Sequence, residues 1–170
     1  LIAIDGYHAF TAIPIDLSRV ASRIFYIAGG YKYAMAGEGA CFMHVPPSAE
    51  LRPRNTGWFA AFGTLEHRQD AKVAYAPGGA GFWGATFDPS GLYRLNAAMH
   101  WRASIGYASS EAMNRSHFLS QKFAQGLGDG PISSEQLVVP IDDRHRGHFL
   151  TFRIGAAKTI AAALHQEEVI

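Results

Sequence analysis

Three short apolar runs in the first third of the chain constrain its fold most strongly. "LIAID" ends in a carboxylate at Asp5, "RIFYIAGG" ends at paired glycines, and "ACFMHVPP" ends at paired prolines. Continuous apolar runs bounded by turn-forming residues are typical of strands buried on both faces of a parallel sheet. In such α/β sheets the chemistry gathers at the carboxyl ends of the strands. We therefore expect an α/β domain with a site near Asp5.

The middle of the chain has the periodicity of two helices. The first follows a glycine-rich segment, "GGAGFWGATFDPSG". Its apolar face would consist of four residues at helical spacing: Leu92, Leu95, Met99 and Ala103. The second helix would begin at Ser109 or Ser110, either of which can cap a first turn. Its buried side would consist of three larger residues: Met113, Phe118 and Phe123.

The composition changes near residue 130. "QLVVPIDDRHRGHFLTFRI" predicts two strands around a charged turn, and "AAKTIAAALHQ" predicts a helix after them. A βα unit that follows two long helices indicates a second, smaller domain. We therefore expect one domain over residues 1–130 and the beginning of another over residues 131–170.

Charge and cysteine content exclude several classes of protein. Lys and Arg number 15 against 14 for Asp and Glu, so no field favours nucleic acid or an anionic membrane surface. The sequence has neither a secretory leader pattern nor an apolar run long enough to span a membrane. Cys41 is the only cysteine, which fits a reducing compartment. A cytoplasmic location is the expectation.

Both ends of the sequence lie in apolar runs. Leu1 already belongs to the strand-like "LIAI", and "EEVI" begins another run at the other end. A strand at a terminus requires neighbours with which to pair. We therefore expect the sequence to be a piece of a longer protein.

The run "DDRHRGH" carries two acids, two arginines and two histidines, a composition that suits a metal or a phosphate. Charge runs of this kind are mostly solvated, so a solvated hairpin turn is the prediction. The sequence contains neither HExxH nor a comparable ligand spacing, and it lacks the phosphate-binding GxxxxGK[ST] pattern. We predict no metal.

Lys32 lies in the glycine-rich segment "YIAGGYKYAMAGEGA", and most lysines in such loops are solvated surface charges. A lysine becomes a Schiff-base catalyst where an apolar setting or nearby cations favour the neutral amine. Asp5 changes the interpretation, because a carboxylate at the end of a buried strand requires a cation or donors. Pyridoxal phosphate needs a lysine at its aldehyde and an acid at its ring nitrogen. An aspartate at one strand end and a lysine after the next strand are therefore a chemically sensible pair for this cofactor.

Two segments carry a resemblance to a known family. "DGYHAF", with Asp5 and His8, and "RIFYIAGGYKYAMAGEGACFMHVP", with Lys32, resemble the class V aminotransferases of the fold-type I pyridoxal-phosphate enzymes. That family includes kynureninases and cysteine desulfurases. The resemblance implies that residues 1–130 are the second half of the large, mainly parallel-sheet domain. Residues 131–170 would then be the truncated start of the small α+β C-terminal domain.

The resemblance implies a role for each matching residue near the lysine. Lys32 would form the Schiff base and move the proton at the substrate α-carbon, and Asp5 would pair with the pyridinium nitrogen. His8 would lie near the cofactor's phenolic oxygen, although an isolated histidine is more often a satisfied interior residue. Tyr31 would donate to the phosphate, and with Gly30 it points to the kynureninase side of the family.

Two further segments resemble the family downstream of the lysine. "GWFAAFG" makes Trp58 a candidate for the cofactor or substrate pocket, with an ordinary core or interface aromatic as the alternative. "FWGATFDPSGLYRLNAAM" resembles a Gly-Thr loop that reaches the phosphate of the neighbouring subunit, which makes Thr86 a phosphate ligand. That second match implies a homodimer with shared sites.

The resemblance implies transamination of an amino acid as the activity. A kynureninase-like hydrolase or another pyridoxal-phosphate lyase would use the same residues, and a non-catalytic truncated relative that serves dimerisation is a third alternative. Desulfurases need a mobile cysteine late in the small domain, and Cys41 does not lie there. The family's ring-stacking residue and substrate-carboxylate arginine would fall outside these 170 residues, which alone are expected to be inactive.

Overall fold

The computed structural model describes residues 1–66, 73–128, 130–142 and 146–169. The chain divides into two compact units, Leu1–Ser109 and Ser110–Ile170. The boundary expected after residue 130 concerns the domains of a larger enzyme and stays a prediction. No helix in the described parts of the chain is both long and apolar enough to cross a membrane.

A three-stranded sheet organises the first unit. Its strands are β1 (Ile2–Asp5), β2 (Ile24–Gly29) and β3 (Cys41–His44), in the order β1-β2-β3. β1 runs parallel to β2, with Asp5 opposite Ile27. β3 runs antiparallel to β2. The three strands expected from the apolar runs are confirmed, and they give the unit a small α/β architecture together with the helix that follows.

The sheet is buried on one side only. Ile24, Tyr26 and Ala28 alternate along β2 and form the core, whereas Ile27 is exposed between them. The expectation that β1 is buried on both faces is wrong, because β1 lies at the edge of this sheet and Ile2 is 62% exposed. Apolar composition alone cannot distinguish a central strand from an edge strand.

Short 3₁₀ turns and one long helix complete the first unit. The turns are Ala21–Arg23, Trp58–Thr64 and Gly78–Phe82, and the helix is α1 (Ser90–Ser104). α1 confirms the first predicted helix, but its predicted apolar face is partly wrong. Its buried residues are Gly91 and Arg102, whereas Leu92 is exposed. Gly91 lies against the backbone of Gly39, where any Cβ would overlap the carbonyl, so close backbone contact takes the place of apolar packing.

The described part of the second unit contains two α-helices and the 3₁₀ turn Ser134–Gln136. α2 (Ser109–Gln125) begins at the first unit's last residue, as predicted, and α3 (Ala157–Gln166) confirms the last helix. The predicted burial of Phe118 and Phe123 is wrong, since both are exposed and Ser120 is the buried residue of α2. The half-buried residues of α2 include Met113, as expected, but otherwise the covered side consists of small or polar residues such as Ser116, His117 and Ala124. Arg115 and Lys122 instead place their cations over the Phe118 ring.

The two strands expected after residue 136 do not form in the described part of this segment. An isolated antiparallel bridge joins Leu137 to Phe152, and Pro140 interrupts the first run because it has no N–H to donate. Residues 143–145 of the predicted turn lie outside the described residues. At the flanks of that turn, Asp142 is exposed but Arg146 is buried, so the prediction of a solvated turn is wrong for Arg146.

Candidate active site

The end of β1 positions two of the predicted residues, Asp5 and His8. The ladder with β2 continues to Gly6, whose N–H donates to the Ile27 carbonyl at 2.7 Å. A turn then begins, in which the amides of Ala9 and Phe10 donate to the Gly6 carbonyl. Residue 6 has to be glycine, because a Cβ there would overlap the Tyr26 ring. The turn carries Tyr7 and His8 immediately beyond the strand.

Asp5 closes β1 and lies at the surface. Its Oδ1 accepts the backbone N–H of Tyr7 at 3.0 Å, which fixes the carboxylate at the start of the turn. The expectation of a buried Asp5 is wrong, because the edge strand that carries it is exposed. The carboxylate therefore stays hydrated and keeps its second oxygen for a further partner.

The loop after β2 holds Lys32. Gly30 fixes the base of this loop through two hydrogen bonds. Its N–H donates to the Ala40 carbonyl and its carbonyl accepts the Ala36 N–H, each at 2.8 Å. Met35, Gly37 and Gly39 have positive φ angles, and these left-handed positions fold the loop back toward β3. Lys32 is half-buried, so it is not the fully solvated surface lysine that such loops usually carry.

Lys32 and His8 meet across the two loops. Lys32 Nζ lies 2.6 Å from Nε2 of His8 and 3.3 Å from its Nδ1. Which group donates depends on the tautomer of the imidazole. The structure thus places an amine and an imidazole in direct contact.

Two phenol rings flank the amine. Lys32 Nζ lies 5.5 Å from the ring centroid of Tyr31 and 5.9 Å from that of Tyr7, within cation–π range. Tyr7 and Tyr31 are tilted against each other with their centroids 5.5 Å apart. The absence of a side chain at Gly29 leaves space for the Tyr7 ring, because a Cβ there would lie 2.5 Å from the ring. A cavity of about 290 Å³ beside the two rings is also lined by Cys41.

Burial raises the pKa of the Tyr7 phenol, and the Cys41 thiol, Tyr31 and Asp5 raise it further. Tyr7 therefore remains a neutral phenol at physiological pH. It can donate a hydrogen bond but supplies no negative charge to the lysine. Sequence reasoning missed Tyr7. The signal available was its position between Asp5 and His8 in "DGYHAF".

Two arginines of α1 hold these loops, and sequence reasoning missed both. Arg94 donates through Nε to the Ala36 carbonyl at 3.2 Å and through Nη2 to the Glu38 carbonyl. Arg102 donates to the Tyr33 carbonyl at 3.3 Å and to the Thr11 carbonyl at 3.1 Å. Arg102 therefore joins the lysine loop to the turn after β1. Its place on the predicted apolar face, three residues after Met99, was the available signal.

Trp58 and Thr86 lie in other segments. Trp58 is exposed at the start of a 3₁₀ turn, where its ring lies 4.4 Å from that of Phe59. Thr86 is exposed in the irregular segment before α1. Neither residue lines the cavity beside Tyr7 and Tyr31. The structure brings His8, Tyr31 and Lys32 into contact and places Asp5 at the start of the turn that carries Tyr7. The roles predicted for all six residues stay predictions.

No protein-family model matches the chain. A kynureninase of Xanthomonas axonopodis pv. citri is 26% identical over 168 residues, which cover 97% of this chain and 39% of that protein. A kynureninase of Xanthomonas oryzae pv. oryzae is 27% identical over 165 residues, which cover 95% of this chain and 38% of that protein. The chain is similar to kynureninases. It spans about two fifths of the length of these curated relatives.

A shorter similarity points to a second kind of enzyme. An isopenicillin N epimerase of Streptomyces clavuligerus is 37% identical over 57 residues, or 32% of this chain and 14% of that protein. The kynureninases and this epimerase support the resemblance to the class V family that the Asp5 and Lys32 segments indicate. Neither name is that of an aminotransferase, so transamination stays a prediction.

Proposed function

We propose that this chain carries the lysine site of a pyridoxal-phosphate-dependent enzyme that acts on an amino acid. The observation that carries the proposal is the contact between Lys32 Nζ and His8 Nε2 at 2.6 Å. Lys32 follows β2, and Asp5 ends the neighbouring strand β1. The amine and the imidazole meet beyond the carboxyl ends of two parallel strands, where α/β folds bind their ligands, and the carboxylate closes the first of these strands. The similarity to kynureninases supports the same assignment.

The chemistry of the donor set fits this cofactor. Lys32 would hold the aldehyde carbon, Asp5 the ring nitrogen, and Tyr31 a phosphate oxygen. When bound, pyridoxal phosphate supplies an electron sink for negative charge at the substrate α-carbon. Asp5 is suited to the ring nitrogen because Oδ1 is already fixed by the Tyr7 N–H and the second oxygen is left for a cation.

Lys32 and His8 would move the proton. His8 is close enough to accept a proton from Lys32 Nζ and return it, which allows the amine to act as a base and then as an acid. The Tyr7 and Tyr31 rings flank the Lys32 amine and would limit its contact with water.

Two reactions are candidates for the site. The similarity favours kynureninase-like hydrolysis, and the resemblance of the Asp5 and Lys32 segments to class V aminotransferases includes transamination. The two differ in one requirement, because transamination needs a 2-oxo acid to receive the amino group and hydrolysis does not. A screen of amino acids that includes kynurenine, with and without a 2-oxo acid, distinguishes them. Turnover only with the acceptor would establish transamination.

We also propose that the enzyme is a homodimer in which Thr86 binds the phosphate of the partner's site. Thr86 is exposed, with its hydroxyl in an irregular segment that is accessible to another subunit. Light scattering of the purified protein gives the oligomeric state. Mixing Lys32→Ala and Thr86→Val subunits tests the sharing, because half of the mixed dimers' sites would regain both residues and therefore cofactor binding. A monomer, or no recovery on mixing, would contradict this proposal.

Covalent labelling of Lys32 is the direct test of the cofactor assignment. Purified protein incubated with pyridoxal phosphate should develop an absorbance band at the edge of the visible range. Borohydride should then fix a pyridoxyl group on Lys32, identified by peptide mass spectrometry. Lys32→Ala should abolish both signals, whereas Lys158→Ala, at an exposed lysine of α3, should leave them unchanged. Equal labelling of Lys158 and Lys32 would reject a specific site.

A further inference from the structure

The second unit contains a buried arginine whose guanidinium is only partly hydrogen-bonded. Arg146 is only 4% exposed, and its Nη1 donates to the Gly147 carbonyl at 3.0 Å. Within the part of the chain that the structure describes, its Nε and Nη2 are buried and have no hydrogen-bond partner. A buried charge with unsatisfied donors destabilises a fold, so these two atoms require an acceptor.

The two open donors of Arg146 form one edge of the guanidinium. Nε–H and an Nη2 N–H point in parallel from that edge, and this pair matches the two oxygens of a carboxylate or a phosphate. Nη1, on the other side, is already occupied by the Gly147 carbonyl. The bond to Gly147 therefore fixes the plane of the group and leaves its bidentate edge for an oxyanion.

Two histidines lie beside Arg146. The Nε2 atom of His117, on α2, is 3.4 Å from the Arg146 carbonyl oxygen. The His117 and His148 rings meet edge to face with centroids 6.4 Å apart. Burial lowers the pKa of His148, and the nearby His117 and Arg146 lower it further. The charges that act on His148 are thus cationic, and an anion at this place would relieve their repulsion.

We propose that Arg146, with His117 and His148, forms a binding site for a small oxyanion, either a carboxylate or a phosphate. Nε and Nη2 of Arg146 would bind two oxygens side by side, and the two histidine rings would lie beside the anion. This site lies entirely within the second unit. It does not depend on the cofactor chemistry at Lys32, and either proposal can fail without the other.

Arginine side-chain NMR tests the site directly. The Nε–Hε resonances of the ¹⁵N-arginine-labelled protein are followed while inorganic phosphate is added at constant ionic strength, and acetate is titrated in a parallel series. We expect a saturable shift of the Arg146 resonance. The anion that binds with the higher affinity identifies the ligand class. Arg146→Lys keeps the charge but loses the bidentate edge, so affinity should fall by about tenfold or more. Arg153→Lys, at an exposed arginine of the same unit, is the matched control.

Three results would overturn the proposal. The first is an Arg146 resonance that neither anion shifts, which would mean that the guanidinium is satisfied by the protein's own chain. The second is equal affinity in wild type and Arg146→Lys. If Arg146→Lys does not fold, His117→Gln and His148→Gln replace it, and each should weaken anion binding severalfold while Arg153→Lys does not. Unchanged affinity in both histidine variants is the third.

Discussion

The contact between Lys32 and His8 joins two loops whose residues are 24 positions apart in sequence. Its geometry depends on small residues behind it: Gly6 makes room for the Tyr26 ring, and Gly29 makes room for Tyr7. The sequence predicted the residue types of the site and the strand ends that carry them. It could not predict that the amine meets imidazole and phenol rings, because side-chain contacts depend on how the two loops fold back.

Gly6→Ala should destabilise the first unit and disturb the site. The new methyl group would overlap the ring of Tyr26, a core residue that cannot move without opening the sheet's packed side. Overpacking of this kind costs roughly 1–3 kcal/mol. Chemical denaturation followed by circular dichroism measures the loss.

Gly63→Ala is the control for this substitution, because a Cβ at residue 63 has no atom within 4 Å. Its free energy of unfolding should stay within about 0.5 kcal/mol of wild type, as for ordinary surface changes. Equal stabilities of the two variants would mean that the Tyr26 ring does not constrain residue 6.

At the scale of the element, α1 holds the loops of the site through hydrogen bonds from Arg94 and Arg102. Helical periodicity predicted its position, and the structure confirms it over Ser90–Ser104. The side that faces the protein instead carries Gly91 and the buried Arg102. Periodicity identifies which residues share a face, but apolar scoring assigns charged residues to solvent. An arginine that satisfies loop carbonyls is therefore missed.

Arg102→Met should destabilise the first unit by roughly 2–3 kcal/mol. The change keeps a long apolar side chain but removes the donors to the Tyr33 and Thr11 carbonyls, and hydrogen bonds from charged groups contribute about that much. Denaturant unfolding measures the loss as a lower midpoint with an unchanged slope. Arg19→Met, at an exposed arginine, is the control.

The same variant should loosen the Lys32 site, because the two loops lose their shared anchor. The His8 ring resonances report on this, since the imidazole contacts Lys32 Nζ directly. Retained stability and unchanged His8 resonances in Arg102→Met would show that α1 does not hold the loops through this residue.

At the scale of the whole molecule, the two compact units differ in how they respond to acid. The pKa of His148, in the second unit, is lowered below its ordinary value of 6.5 by burial, His117 and Arg146. In the first unit, hydrogen bonds from Ser18 and Ser90 lower the pKa values of Asp16 and Asp88 below 3.8. The shifted groups of the two units therefore titrate in separate ranges of pH.

Mild acid should destabilise the second unit selectively. The unfolded chain binds a proton at His148 at a higher pH than the folded chain does, so stability falls as the pH drops below about 6.5. The contributions of Asp16 and Asp88 persist above pH 3.8 and are lost only below it. Hydrogen exchange at pH 7 and pH 5.5, corrected for its intrinsic pH dependence, should show faster opening within residues 110–169.

His148→Gln removes the titrating group and serves as the control for that experiment. The variant should lose the extra opening of the second unit at pH 5.5. Equal acceleration in both units, or the same pH response in His148→Gln, would assign the effect to other groups.

The sequence by itself determined the three strands of the first unit and the positions of the helices, and it predicted the chemistry that the strand ends could carry. Apolar runs bounded by glycine and proline specify strands, helical spacing specifies α1 and α2, and Asp5 and Lys32 stand at the ends of neighbouring strands for local reasons alone. These features depend on backbone conformation and residue type over a few positions. They can therefore be recognised from the sequence alone.

Only the tertiary structure decided which groups meet and which are buried. It left β1 exposed at a sheet edge, set Lys32 against His8, and buried Arg102 and Arg146 where a sequence pattern assigns charges to water. The reason is that burial and pairing depend on residues far apart in the chain. A cation enters the interior only where distant acceptors converge on it, and the proposed oxyanion would be one of those acceptors for Arg146.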